Sequence, residues 1–578
     1  MTFSYSTYQI NFENGILRTS EGELPHRQAL VTFLDSSGNE IDTIRLTVPD
    51  MATVYEQIFR NRKVVLDNCF IQGFSANAYR RIYDLERNQP IAIDSFSAKN
   101  SFFEAQVATD FSYTNFGSHT SFEGSHFGKG KVLFNNSVFT AGANFSGTYF
   151  HSGHLEFIGA HFGAGDFLLK NAVFRDGLKD FSDVKFGIGE ISFANTEFNS
   201  GDLLFINTQF NDGRFSFKVS RITGGKVDFH YAVFGKGEVI FERAEFGNSK
   251  ADFRAVDFGE GRVNFNRSVF GDGEINFEGA SSRSGKIQFK RAVIGSGIKN
   301  FGLIEMAGTE VNFERTSFGP GDLSFQGSKF HKLILKSCYL NHYVDLRVNE
   351  AGYLDLSDTI VRDIIDLEPY GHDIHIGSIN MAGMRLIGKI FIDWESNHCK
   401  KLILNQDDTD FREKAEQFRI LKVNFNQTGK YDDEDQAYIM FKRFEARSLV
   451  QKYTNRGGVY KYLAYISNGF RWLVFDAAGL YATNPLRVLF SMGVGYIVFS
   501  LIYYLLIITT SADIISGTPD MMSDLARSFY HSAITFFTIG YGDHYPHGSI
   551  RIVSGLEGFI GVFLMSYFTV AFVRKVLR

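Results

Sequence analysis

The chain has 578 residues, a mild net charge of −5, and a strong bias to Phe (61) and Gly (56) against only 8 Pro and 2 Trp. Such a length calls for several domains, and such a bias for one repeated local structure instead of a mixed globular core. The charge gives no nucleic-acid footprint, and Cys69, Cys338 and Cys399, far apart and without a CxxC spacing, exclude a disulfide framework; they read as small buried apolar residues in a reducing compartment.

The first residues, MTFSYSTYQINFENG, contain no basic-then-apolar leader, so whatever precedes the first membrane segment is expected to stay in the cytoplasm. Residues 1–60 alternate polar and apolar (ALVTFLDSSGNEIDTIRLTV) and read as a β-rich cap over the first edge of the next domain.

Residues 61–405 form a repeat. Phe181, Phe193, Phe205, Phe217, Phe229, Phe241, Phe253, Phe265, Phe277, Phe289, Phe301, Phe313 and Phe325 follow one another every twelve residues. A second column (Phe174, Phe186, Phe198, Phe210, Ile222, Phe234, Phe246, Phe258, Phe270) runs between them. Two positions before the first column the residue is usually aliphatic (Ile191, Leu203, Val227), and two before the second it is small (Ala172, Thr196, Thr208). A spacing of two places each pair on one face of a short extended segment. Gly-x-Gly recurs at Gly187/Gly189, Gly235/Gly237, Gly259/Gly261, Gly271/Gly273 and Gly319/Gly321, where the backbone is expected to turn sharply or take φ > 0. Two units close one coil of about 24 residues, and the expectation is a parallel β-helix with internal Phe ladders, about a dozen coils and roughly 60 Å long at the usual strand spacing. The rhythm of a bulky residue preceded two positions earlier by a small one resembles the pentapeptide-repeat proteins, which implies a right-handed solenoid. Looser turns (VVLDNCFIQGFS, LILKSCYL, YLDLSDTIV) extend it both ways.

After residue 408 the period becomes helical. Phe411, Ala415, Phe418, Leu421 and Phe425, then QTGKYDDEDQ, then Ala437, Phe441 and Phe444 predict a helical hairpin over 408–455. Residues 459–482 mix aromatics with Lys461 and Arg471, as an interfacial amphipathic segment does. Two apolar runs, 488–508 and 552–573, are long enough to span a bilayer; the second carries one charge, Glu557. Lys461, Arg471 and Arg487 precede the first run and Arg574, Lys575 and Arg578 follow the second, while the loop between holds Asp513, Asp520, Asp524 and Asp543 against Arg527 and Arg551. This bias puts both termini in the cytoplasm, of a multi-pass protein in the cell (inner) membrane.

The outward loop holds DLARSFYHSAITFFTIGYGDHYP: a short helix over 524–537, then Thr538, Ile539, Gly540, Tyr541, Gly542 and Asp543. Replacing the hydration shell of an ion takes consecutive carbonyls aimed at one axis, through backbone angles that need glycine. An ordinary Gly-Tyr-Gly turn is the bland alternative; position between two spans, after a short helix, disfavours it. Residues 485–578 resemble the two-transmembrane potassium channels, through TIGYGD and the following Tyr545-Pro546. That resemblance implies a homotetramer that holds K⁺ at the carbonyls of Thr538, Ile539, Gly540 and Tyr541 and at the Thr538 hydroxyl, with no cofactor. It also implies a flexible Gly561 and a cavity lined by Val562, Met565, Thr569 and Val573. Ile534 departs from the pattern, standing where some of these channels place a carboxylate. DAAGLYATNPLRVL, with the hairpin, resembles bacterial proteins that join pentapeptide repeats to this pore.

Glu557, one turn before Gly561, is expected to hydrogen-bond the pore helix or filter from behind, the alternative being a watery place at the outer boundary. HDIH (His372, Asp373, His375) has no further ligand nearby and reads as a solvated strand face. No Walker motif, nucleophile elbow or paired-carboxylate arrangement stands out, so the chain reads as no enzyme. The rod is expected to be either a docking surface for a cytoplasmic protein or ligand, or a scaffold. The competing readings are a membrane-tethered interaction protein, DNA mimics included, and a non-selective cation channel. Residues 175–330 carry about twenty charges of each sign, unlike a phosphate-like surface. With the rod feeding into the first span, cytoplasmic control is expected to enter through the 410–455 hairpin from the N-terminal side.

Overall fold

The computed structural model describes residues 5–19, 22–369, 371, 374–517 and 522–577. His372 and Asp373 of HDIH, and Asp520 and Arg578 of the charge pattern, lie outside the described residues. The chain divides into two compact units, Met1–Gln406 and Asp407–Arg578.

The first unit is a parallel β-solenoid of about 12 turns. Each coil has four short sides, such as Glu190–Ser192, Glu197–Phe198, Leu203–Leu204 and Gln209–Asn211. The next coil repeats them in register, with Ile191 beside Phe215 and Leu203 beside Val227. Two sides form ladders of 14 and 13 strands, and the others carry shorter ladders. Strands so short cannot hold together alone; each coil's N–H groups donate to the carbonyls of its neighbours, as Phe241 N–H does to Asn264.

Each Phe column of the sequence splits into two ladders in space. Rings in successive coils stack face to face, with Phe241 4.6 Å from Phe265 and Phe265 4.6 Å from Phe289, at interplanar angles of 1° and 2°. Rings half a coil apart meet edge to face across the interior, as Phe253 does with Phe241 (88°) and Phe265 (89°). The second column divides likewise, with Phe210 4.4 Å from Phe234 and Phe246 4.4 Å from Phe270. The small position beside them is filled by methyls or by buried hydroxyls that donate to the coil below: Thr196 to the Leu169 carbonyl at 2.7 Å and Ser220 to Phe193 at 2.6 Å. Outside, opposite charges stack from coil to coil, Lys250 with Glu274 at 2.7 Å and Lys290 with Glu314 at 3.1 Å.

The corners differ from the expectation. Of the ten Gly-x-Gly glycines only Gly259 and Gly321 take positive φ. The others need glycine because coils touch there: a Cβ on Gly261 would run into the carbonyl of Gly237, and one on Gly237 into that of Gly213. The recurrent left-handed residue stands instead two positions after each first-column Phe, as Asp183, Asn195, Asn207, Val219, Tyr231 and Arg243 (φ 56°).

Strands β1 (Thr7–Thr19), β2 (Gly22–Leu34) and β3 (Glu40–Thr47) form an antiparallel sheet that covers a flank of the solenoid. Tyr5, Tyr8, Phe33 and Leu46 share a core with Phe70, Phe102, Tyr149 and Val173. His126 stands in register between Phe102 and Tyr149. The end of β3 pairs with the first coil's edge, where the Thr47 N–H donates to Asn68. Helices α1 (Met51–Phe59) and α2 (Ala76–Ile82) join through Tyr55, which packs on Phe74 and Tyr79. Helix α3 (Cys399–Leu404) buries Cys399, Leu402 and Ile403 after the last coil. All three cysteines are free thiols, and burial pushes Cys69 up to about 11 and Cys338 up to about 12, which keeps them inert.

The second unit begins with a hairpin. Helix α4 (Phe411–Gln427) starts on an Asp410–Glu413 capping box, and α5 (Tyr431–Arg456) follows after Gly429 at φ 75°. Helix α6 (Val459–Arg471) buries none of its residues within the chain and passes through a π-helical turn, Trp472–Ala477, toward α7 (Pro485–Thr509). Helices α8 (Asp524–Phe536) and α9 (Ile550–Val576) complete it. Both α7 and α9 are long and apolar enough to cross a membrane, and the chain itself buries little of either.

Removing one ring from a ladder leaves a cavity that the fixed coil spacing cannot collapse. Phe241→Ala is expected to cost roughly 3–5 kcal/mol in thermal unfolding of the full chain. Arg243→Gly, which relieves a left-handed residue, should be neutral or stabilising. A pH effect arises under β1–β3. Burial holds His126 down to about 4, and burial followed by Arg175 and Lys129 does the same to His151. Both are neutral when folded and titrate near 6.5 when unfolded, so stability is full above pH 6.5 and falls as pH drops toward 4. His126→Phe, which continues the aromatic column, should flatten that fall in unfolding midpoints measured from pH 7 to pH 4.

Candidate functional site

The candidate site lies where the chain leaves regular structure between α8 and α9. Ser523 caps α8, its hydroxyl accepting from the Ala526 N–H, and the helix carries Asp524 in its first turn. It ends at Phe536, and Thr538, Gly540 and Gly542 take φ of 54°, 57° and 78°. Such alternation is natural to glycine and unusual for threonine. The N–H groups of Ile539 (2.9 Å) and Gly540 (3.2 Å) both donate to the carbonyl of Ile534, a buried residue of α8. Ile539 and Tyr541 are exposed in the single chain, and nothing lies within 4 Å of a Cβ built on Gly540 or Gly542. Among the described residues, no hydrogen bond reaches the carbonyls of Thr538, Ile539, Gly540 or Tyr541.

The far end of this segment is anchored. The Tyr530 hydroxyl of α8 donates to Asp543 at 2.7 Å and holds its carboxyl below the ordinary value, with His544 beside it at 3.3 Å. The Gly517 N–H donates to the Asp543 carbonyl, and strand Ile514–Ser516 pairs with His544–Pro546. The chain on both sides of the loop is thus tied together around Asp543.

Behind α8 lies Glu557, fully buried. Its two oxygens accept from the Tyr503 hydroxyl of α7 (2.5 Å) and the Ser532 hydroxyl of α8. One carboxylate therefore joins all three helices. Gly561 is buried one turn on, and a Cβ there would run into the Phe536 carbonyl at the end of α8. Close approach is the visible need for glycine at 561, where the resemblance implied flexibility. Val562, Met565, Thr569 and Val573 form an exposed stripe along α9, at intervals that keep them on one helix face. Sequence reasoning missed Tyr503, Ser532 and Tyr530. Their polar groups sit among apolar residues, a signal that spacing alone could not join to Glu557 or Asp543.

Residues 491–578 match a family model described as an ion channel. No curated protein and no solved structure matches the chain at a significant level. The match spans α9, most of α7 and the loop between them, and it supports an ion channel carried by the C-terminal unit and a membrane location for the two apolar helices.

Glu557→Ala would strand the buried Tyr503 hydroxyl and leave Ser532 with the Tyr496 carbonyl, 3.2 Å away, as its acceptor. We expect it to lower the midpoint of thermal unfolding in detergent, at roughly 1–3 kcal/mol for the stranded group, while Glu557→Gln recovers most of the loss because its carbonyl still accepts one bond.

Proposed function

We propose that this chain is the subunit of a potassium-selective channel. The observation that carries the reading is TIGYGD itself: it leaves α8 with left-handed residues at Thr538, Gly540 and Gly542, residues 538–542 stand exposed, and among the described residues no hydrogen bond reaches the carbonyls of Thr538, Ile539, Gly540 or Tyr541. A single strand of carbonyls surrounds nothing; four copies about one axis would present a ring of them to K⁺, the permeant ion. Thr538, Ile539, Gly540 and Tyr541 supply those oxygens, and Gly542 and Asp543 hold the outer end. The stripe of Val562, Met565, Thr569 and Val573 faces the water-filled path below, and Glu557 braces the pore helix from behind.

The charge pattern supports both termini in the cytoplasm, with Lys461, Arg471 and Arg487 before the first apolar helix and Asp513, Asp524 and Asp543 against Arg527 and Arg551 between the two. Helix α6, exposed at Tyr462, Ile466 and Phe470, lies in the lipid headgroup layer. The solenoid serves as a regulatory or scaffolding domain on the cytoplasmic side.

The reading is tested with the purified chain in lipid vesicles. Reversal potentials in paired K⁺ and Na⁺ solutions should follow the K⁺ gradient, and Gly540→Ala or Tyr541→Asp should abolish current or discrimination. Equal K⁺ and Na⁺ permeability in the unaltered chain would make it a general cation pore, and no current at all would reject a channel.

A further inference from the structure

The second unit contains a contact between two helix ends that lie far apart in the sequence. The first turn of α5 carries Asp432, Asp433 and Glu434, followed by Asp435; the last turn of α9 carries Arg574 and Lys575. Arg574 donates to Asp435 at 2.8 Å and lies 3.8 Å from Glu434, and Lys575 donates to Asp432 at 2.6 Å and lies 3.6 Å from Asp435. The Arg574 guanidinium also sits 4.6 Å over the ring of Tyr438, one turn further along α5. Glu434 and Asp435 are buried and Arg574 half-buried, so part of this cluster is shielded from salt; the Lys575–Asp432 pair is open to it.

The arrangement suits both helices. Acids are favoured at the start of α5 and cations at the end of α9 by the helix dipoles, and here the two charged ends face each other. The same α5 grips the entrance to α7: Arg443 donates twice to Asp476 in the π-helical turn, both at 2.8 Å. The Tyr567 hydroxyl of α9 donates to the Phe475 carbonyl of that turn at 3.0 Å and accepts from the Ala482 N–H at 2.7 Å. Helix α5 thus holds the inner ends of both spans, and it reaches α9 directly. This adds a second route to the one expected from the sequence, which entered through the hairpin from the N-terminal side.

We infer that the first turn of α5 is an electrostatic latch on the cytoplasmic end of α9, and that its release frees the pore-lining helix and raises the open probability. The inference rests on the channel reading above. An element that both the pore and a cytoplasmic input can bias is what such coupling requires. Helix α5 qualifies because its charged contacts to α9 are few and concentrated in its first turn, with the Tyr438 ring one turn further on.

The test uses the full chain in lipid. Asp432→Asn/Asp435→Asn should speed hydrogen exchange in residues 570–577 and, in single-channel records, raise open probability on the order of five- to tenfold, the lower range of ordinary coupling. Arg574→Glu should do the same, and Asp435→Lys added to Arg574→Glu should bring it back toward the parent. In the unaltered chain, N-methylglucamine chloride added on the cytoplasmic side at constant K⁺ should raise open probability by screening Lys575–Asp432, and the Asn pair should be insensitive to it. Unchanged exchange would overturn the latch. Faster exchange with parental open probability, or no rescue by the charge swap, would overturn its role in gating. Faster exchange with no current from any form, the unaltered chain included, would leave a latch without a channel and reject the channel reading together with the gating role.

Discussion

Backbone N–H and C=O groups that leave regular structure must still find partners, and both units are built around that demand. In the solenoid no coil can satisfy itself, because its sides are too short to bond internally. Each is completed by the coil stacked on it. Parallel stacking then puts every side chain directly over its counterpart, so an interior Phe is answered by another Phe and a Lys outside by a Glu. The repeat in the sequence is the consequence: any residue that fits one coil is the residue that fits the next.

The segment 538–542 meets the same demand in the opposite way. Two of its N–H groups turn inward to Ile534, and among the described residues no hydrogen bond reaches the carbonyls of Thr538, Ile539, Gly540 or Tyr541. Contacts from α7, α8 and α9 fix the surroundings of that segment. Asp543 ties its outer end to Tyr530 and Gly517, Gly561 lets α9 approach the end of α8, and Glu557 gathers α7, α8 and α9 at one buried point. A buried carboxylate with two donors is costly to break and has one good geometry, which is what a brace needs.

Charge has a different task in each unit. On the solenoid surface, pairs such as Lys250–Glu274 neutralise one another along the stack and leave little net field, in keeping with a mild overall charge. In the second unit opposite charges join separate helices: Arg443 to Asp476, and Arg574 and Lys575 to the start of α5. The first arrangement stabilises a repeat, while the second fixes where helices end.

The sequence by itself determined the repeat length, the helical hairpin, both long apolar helices and the short helix before TIGYGD, because each rests on a periodicity or an apolar run that is local. It also marked Glu557 as unusual, since a carboxylate in an apolar run is a functional candidate by default. What only the tertiary structure decided are relations between distant residues. It split each Phe column into stacked and perpendicular rings, and showed that Gly237 and Gly261 are needed for close approach between coils instead of for a left-handed turn. It laid β1–β3 along a flank where an edge cap was expected, because their apolar faces match an outward aromatic column. It gave Glu557 its partners Tyr503 and Ser532, and joined Asp432 and Asp435 to Lys575 and Arg574. The reason is common to all of these: spacing along a chain fixes which face a residue occupies, but which other face it meets depends on how the elements pack.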